Sequence, residues 1–140
     1  MTQLDEFVDI FELLGDWDQR YQYLIELGEK LPPMAEALKV EPNRVKACMS
    51  KVWIDASVEN GVVSFSGDCD TSVIKGVLAL LISLCDGFTA EQIQQLNMDE
   101  VFERLSLAEH LSPNRHVGVY AIFDLMQRKA AEAEKHAHAA

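Results

Sequence analysis

The stretch KVWIDASVENGVVSFSGDCDTSVIKGVLALLISLC, residues 51–85, changes its hydrophobic period partway along, and the architecture follows from that change. Val52 to Val58 is rich in strand formers, Asn60-Gly61 is the pair favoured by a two-residue hairpin turn, and Val62 to Ser66 returns as a second strand. Gly67 and Asp68 close the hairpin. Asp70 or Thr71 then caps a helix whose body, Val73 to Leu84, is apolar around most of its circumference. Such a helix belongs in a core, so the stretch reads as a β-hairpin laid on a buried helix.

Toward the N-terminus, Leu4, Phe7, Val8, Phe11 and Leu14 keep the rhythm of an amphipathic helix that Gly15 can end. Asp16 caps a second helix with Tyr21, Leu24, Ile25 and Leu27 on its apolar face. Pro32, Pro33 and Pro42 exclude helix from Leu31 to Arg44, apart from a short turn near Ala35 to Leu38, and Asn43 to Ala47 is a candidate third, edge strand. Toward the C-terminus, Gly87 stops the buried helix, and Thr89 with Gln92 and Asn97 with Glu100 start two short ones. The last helix has Ser112 at its cap, Pro113 at its first position, and an apolar face of Val117, Tyr120, Ala121, Phe123 and Leu125. Beyond Lys129 the Ala/Glu/His tail is expected to fray. The expectation is a single α+β domain over residues 1–140, with a small antiparallel sheet, hairpin plus edge strand, packed against several helices.

Composition narrows the function. The formal charge of -11, from 23 acidic and 12 basic side chains, would repel a phosphate backbone, so nucleic acid is not an expected partner. The most apolar stretch, Val77 to Leu84, is too short to cross a bilayer, and the sequence opens on an acidic amphipathic segment. A cytoplasmic protein without membrane attachment is expected. The three cysteines, Cys48, Cys69 and Cys85, match neither a zinc pattern nor a disulfide framework and read as reduced thiols.

Cys48 lies near Arg44, Lys46 and Lys51 in an otherwise acidic chain, and local positive charge favours the nucleophilic thiolate. It is the first candidate for a reactive cysteine, although a buried, inert thiol remains open. Cys85, beside Leu84 in the apolar helix, reads as core. Cys69 sits between Asp68 and Asp70 and just before a helix start, influences that oppose each other. His110 and Arg115 flank the start of the last helix. An arginine there works against the helix dipole, which points to an anionic partner such as Asp68 or Asp70; a solvated Arg115 and an ordinary surface His110 are the alternative. Cys48 and His110 could also form a Cys-His hydrolase pair. His136 and His138, without other ligands, make a poor metal site, and no dinucleotide or Gly-rich phosphate motif is present, so neither metal nor cofactor is expected.

These residues lie in segments that together resemble the SufE-type proteins, SufE and its CsdE paralogue, of iron-sulfur cluster assembly. The resemblance runs from Trp17 and Tyr23-Leu24-Ile25-Glu26-Leu27-Gly28, through Val45-Lys46-Ala47-Cys48-Met49-Ser50-Lys51-Val52-Trp53-Ile54, to Gly67-Asp68-Cys69-Asp70, Lys75-Gly76-Val77-Leu78-Ala79 and His110-Leu111-Ser112-Pro113-Asn114-Arg115. It implies a SufE/IscU-like fold. It implies further that Cys48 accepts persulfide sulfur from a SufS- or CsdA-like cysteine desulfurase, stimulates that enzyme, and passes the sulfur to a SufB-like cluster scaffold. Asp70, His110 and Arg115 would then be supporting residues around the same cavity. Two positions depart from the family pattern: Ala47 stands where glycine is usual before the cysteine, and Cys69 where serine is usual. A regulatory module that binds a desulfurase without carrying sulfur is the alternative function. The choice between the SufE and CsdE systems and the possibility of a homodimer stay open.

Overall fold

The structure, a computed structural model, describes residues 2–139. Helix α1 (Gln3–Leu14) opens on a capping box formed by Thr2 and Asp5 and ends at Gly15, whose φ of 77° suits a residue without a Cβ. Asp16 accepts a hydrogen bond from the Gln19 N–H and starts α2 (Trp17–Glu29), which completes the opening helical hairpin. A single turn of tighter helix, Glu36–Leu38, interrupts the proline-rich segment, and a second, Glu41–Asn43, is built around Pro42.

The hairpin comprises β1 (Val52–Glu59) and β2 (Val62–Cys69), paired so that Trp53 faces Asp68 and Ala56 faces Phe65. Asn60 (φ 54°) and Gly61 (φ 79°) form its tip, both in the left-handed region that a type I′ turn requires. Two expectations need correction. Strand β2 does not stop at Ser66 but continues through Gly67 and Asp68 to Cys69. Gly67 is used there for close approach: a Cβ would lie 3.0 Å from the Trp53 carbonyl oxygen and 3.1 Å from a Leu78 methyl. The third strand shrinks to one bridge, Arg44 to Trp53, with the Val45 N–H donating to the Val52 carbonyl at 2.9 Å. Pro42 lacks an N–H for a ladder, and the buried Asn43 side chain is committed to the Leu38 carbonyl and the Lys129 ammonium. The described sheet is therefore two-stranded.

Helix α3 (Ser72–Leu84) follows β2 and forms the middle of the core, with Val77, Leu78 and Leu80 fully buried. Thr71 is its N-cap residue, although its hydroxyl makes no cap bond. Short helices α4 (Ala90–Gln94) and α5 (Met98–Arg104) begin at Thr89 and Asn97 as the sequence indicates, and an unanticipated turn, α6 (Leu107–His110), follows Ser106, which has φ 54°. Helix α7 (Pro113–Ala139) packs across β1 while α3 lies against β2. It does not fray at Lys129. Ala130 is fully buried, and the Ala- and Glu-rich sequence beyond it has high helix propensity.

Helix α2 approaches α3 closely enough that their backbones touch. A Cβ at Gly76 would fall 2.0 Å from the Leu24 carbonyl oxygen, and one at Gly28 would fall 2.9 Å from the Gly76 nitrogen. Gly76→Ala should therefore reverse the usual helical preference. Propensity alone would add about 1 kcal/mol, whereas overpacking against backbone should cost about 3 kcal/mol or more. Urea denaturation checks this, and a variant as stable as the parent would show that the helices are not in backbone contact.

Candidate functional site

Cys48 sits on a short loop that leaves the sheet at Val45 and rejoins it at Val52, so the Val45–Val52 hydrogen bond closes its base. The other side is fixed by Asp70, whose N–H donates to the Lys51 carbonyl at 3.1 Å and whose carboxylate accepts from the Lys51 N–H at 2.8 Å. Ser50 Oγ and Thr71 Oγ1, 2.6 Å apart, share a hydrogen bond. Among the described residues no hydrogen bond holds residues 47–49. The loop is thus anchored at its ends and free at its crown. Ala47 is not among the residues of positive φ, so its backbone is one that alanine adopts without strain.

The half-buried Cys48 side chain lines a cavity of about 320 Å³ with Met49, Ser50, Thr71, Ile74, Ser112, Asn114 and Arg115. Its sulfur lies over α7 at Gly118, where a Cβ would stand 2.8 Å from Sγ. Glycine inside a helix costs about 1 kcal/mol against alanine, and here its absent side chain is the space the thiol uses. Sequence reasoning does not find Gly118 as part of the site. The available signal was a glycine within an amphipathic helical pattern, which marks close approach without saying of what.

The proposed electrostatics change in the structure. Lys46 pairs with Glu41, and the Arg44 guanidinium lies over the Trp53 ring at 5.5 Å. The cation that lines the cavity is Arg115, and among the described residues no carboxylate pairs with it, so the expected contact with Asp68 or Asp70 is not made. Asp68 is bound instead to Lys39 at 2.9 Å and Lys75 at 3.3 Å. Burial works to raise its carboxyl, but these lysines and the Cys69 N–H outweigh it and lower it below the usual range. Ser112 meets the cap expectation, accepting from the Arg115 N–H at 3.4 Å.

His110 does not join this cavity. It stacks on Trp17 with ring centroids 3.9 Å apart, and its carbonyl accepts from the Tyr21 hydroxyl. Asp70 does not line the cavity either and acts on the loop base. Burial pushes the Cys69 thiol up to about 11, opposed by the Thr71 backbone and reinforced by the charges of Asp70 and Cys48. Burial pushes Cys85, the residue that closes α3, up to about 12. No cluster of three or more metal-ligating side chains occurs among the described residues. No described helix is long and apolar enough to cross a membrane. Among the described residues the arrangement offers one half-buried thiol and, on the same cavity, a guanidinium with no carboxylate partner, which together can set a nucleophile next to a bound anion.

The family model for SufE, described as an Fe-S metabolism associated domain, matches residues 5–130. An uncharacterized SufE-like protein of Rhizobium etli is 35% identical over 134 residues, spanning 93% of this chain and 90% of the relative. A SufE-like protein of Synechocystis is 40% identical over 127 residues, 91% of this chain and 79% of the relative. A solution structure of a hypothetical protein from Thermus thermophilus superposes with a TM-score of 0.79 at 24% identity, over 96% of this chain and 99% of that one. That last likeness supports the α+β fold.

Alkylation should separate the thiols. At neutral pH in the folded protein, iodoacetamide should label Cys48 rapidly and reach Cys69 and Cys85 only after denaturation, because two buried, protonated thiols are poor nucleophiles. Gly118→Ala should speed labelling of Cys48 severalfold by displacing its sulfur from α7. Peptide mapping that found Cys69 labelled as fast as Cys48 would contradict this geometry.

Proposed function

This chain belongs to the SufE family, and on that premise we propose that it carries sulfur for iron-sulfur cluster assembly, with Cys48 as the acceptor. In this reading the Cys48 thiolate attacks the outer sulfur of a persulfide on a SufS- or CsdA-like cysteine desulfurase. The S–S bond of the donor breaks, its cysteine leaves as a thiolate, and Cys48 holds the new persulfide. Stimulation of the desulfurase follows from clearing its persulfide, and a SufB-like scaffold receives the sulfur. In this reading residues 1–140 are one SufE-like domain acting in the cytoplasm, supported by the family match over residues 5–130.

The observation that carries this reading is the position of the Cys48 sulfur, at Gly118 and lining a cavity of about 320 Å³, on a loop crown without hydrogen bonds among the described residues. A cavity of that size has room for an added sulfur atom. Shelter there would keep a persulfide from small-molecule reductants, while the untethered crown allows the thiol to meet a partner's cysteine. Arg115 is assigned to hold the anionic persulfide, and Asp70 to fix the loop base at Lys51. His110 has no role in this site, which leaves the Cys-His hydrolase reading without an observation in its favour.

Desulfurase kinetics test the assignment. Cys48→Ser should abolish stimulation of alanine release from cysteine while changing stability by less than about 0.5 kcal/mol, since the residue is only half buried and the hydroxyl is similar in size. Cys85→Ser should do the reverse, losing about 1–3 kcal/mol by burying a hydroxyl among apolar neighbours, with stimulation retained. Full stimulation by the Cys48→Ser protein would favour the regulatory module that carries no sulfur.

A further inference from the structure

Thr71 touches the surroundings of two thiols. It lines the Cys48 cavity, and its N–H and carbonyl lie 3.5 and 3.6 Å from the Cys69 sulfur. Cys69 stands opposite Val52 in the hairpin, at the base of the Cys48 loop, and its neighbour Asp70 grips Lys51 by both backbone groups. Ser50, two residues after Cys48, is bonded to Thr71 on the same wall. The two sulfurs therefore share one boundary, and one of them rides on a loop crown that no hydrogen bond among the described residues restrains.

We infer that Cys69 is a resolving thiol for Cys48, discharging a persulfide that has not been delivered. This step rests on the carrier reading, which supplies the persulfide. The Cys69 sulfur, as thiolate, attacks the inner sulfur of the Cys48 persulfide. A Cys48–Cys69 disulfide bond forms, the bond to the outer sulfur breaks, and that sulfur leaves as hydrosulfide, taking up the electron pair. The persulfide is the oxidant, so no other is needed. A small-molecule thiol then reduces the disulfide in two exchanges and restores both cysteines.

Geometry and burial set the pace. A disulfide needs Cα atoms within roughly 7 Å and sulfurs about 2.05 Å apart, so the Cys48 sulfur, a free thiol seated over Gly118, must swing from there to Cys69. Cys69 is buried and kept protonated at neutral pH, which makes it a slow nucleophile. Prompt transfer to a partner therefore precedes discharge, and only a stalled carrier releases sulfide.

The test loads the full-length protein chemically with inorganic polysulfide, desalts it, and follows intact mass and free sulfide without oxygen. The parent protein should lose its Cys48 persulfide by first-order decay, yielding sulfide, a protein two hydrogens lighter than the reduced form, and a linked Cys48–Cys69 peptide. In Cys69→Ser the persulfide should last roughly tenfold longer or more, because the hydroxyl cannot attack sulfur; Cys69→Ala serves as a second variant should the serine protein not fold. Equal decay in parent and variants, absence of the linked peptide, a rate that rises with protein concentration, or failure of polysulfide to load Cys48 would each overturn the inference. The carrier reading fails separately, if a cysteine desulfurase cannot load a protein that polysulfide does load.

Discussion

The contact between α2 and α3 at Gly76, where a side chain would strike the Leu24 carbonyl, sets the position of the buried helix and so of everything resting on it. Leu78 on α3 meets the backbone of β2 at Gly67, which seats the hairpin. The start of the same helix supplies Thr71 and Ile74 to the cavity wall. Fully burying one leucine contributes about 1.5–3 kcal/mol, and α3 buries Leu78, Leu80 and Leu81 nearly completely. Widening the spacing at Gly76 would disturb that burial and shift the wall facing Cys48.

Glycine recurs wherever two parts of the chain come unusually close. Gly76 admits a helix backbone, Gly67 a strand carbonyl and a leucine methyl, and Gly118 the Cys48 sulfur. The first two are contacts of the core. The third places a thiol sulfur on the surface of a helix without burying it fully. Charge is arranged to match. The chain is acidic as a whole, yet Lys39 and Lys75 occupy Asp68, and Arg115 remains at the cavity without a carboxylate partner among the described residues. A persulfide anion would thus meet a cation that no internal ion pair competes for.

What could be read from the sequence was local. Asn60-Gly61 specifies a turn by its own backbone preferences, and Thr89 with Gln92 specifies a helix start within four residues; both appear as expected. The α+β class follows from such signals, and the family resemblance is met by the match over residues 5–130. What failed depended on distant partners. The helix-dipole argument for Arg115 could not weigh the lysines that take Asp68, and the tail read as frayed because nothing nearby shows that Ala130 is buried. The edge strand gave way to the needs of Asn43, whose partner Lys129 lies on the far helix. Gly118 and Cys48 are 70 positions apart in the chain, and only the fold brings them together.

The central claim is that sulfur arrives on Cys48 and on no other thiol. The most direct measurement is intact mass with peptide mapping after the protein is mixed, without reductant, with a cysteine desulfurase carrying its own persulfide. The account predicts one added sulfur atom per chain, confined to the Cys48 peptide and absent from Cys48→Ser. Sulfur located first on Cys69 or Cys85, or a desulfurase fully stimulated by a protein that acquires no sulfur, would contradict it.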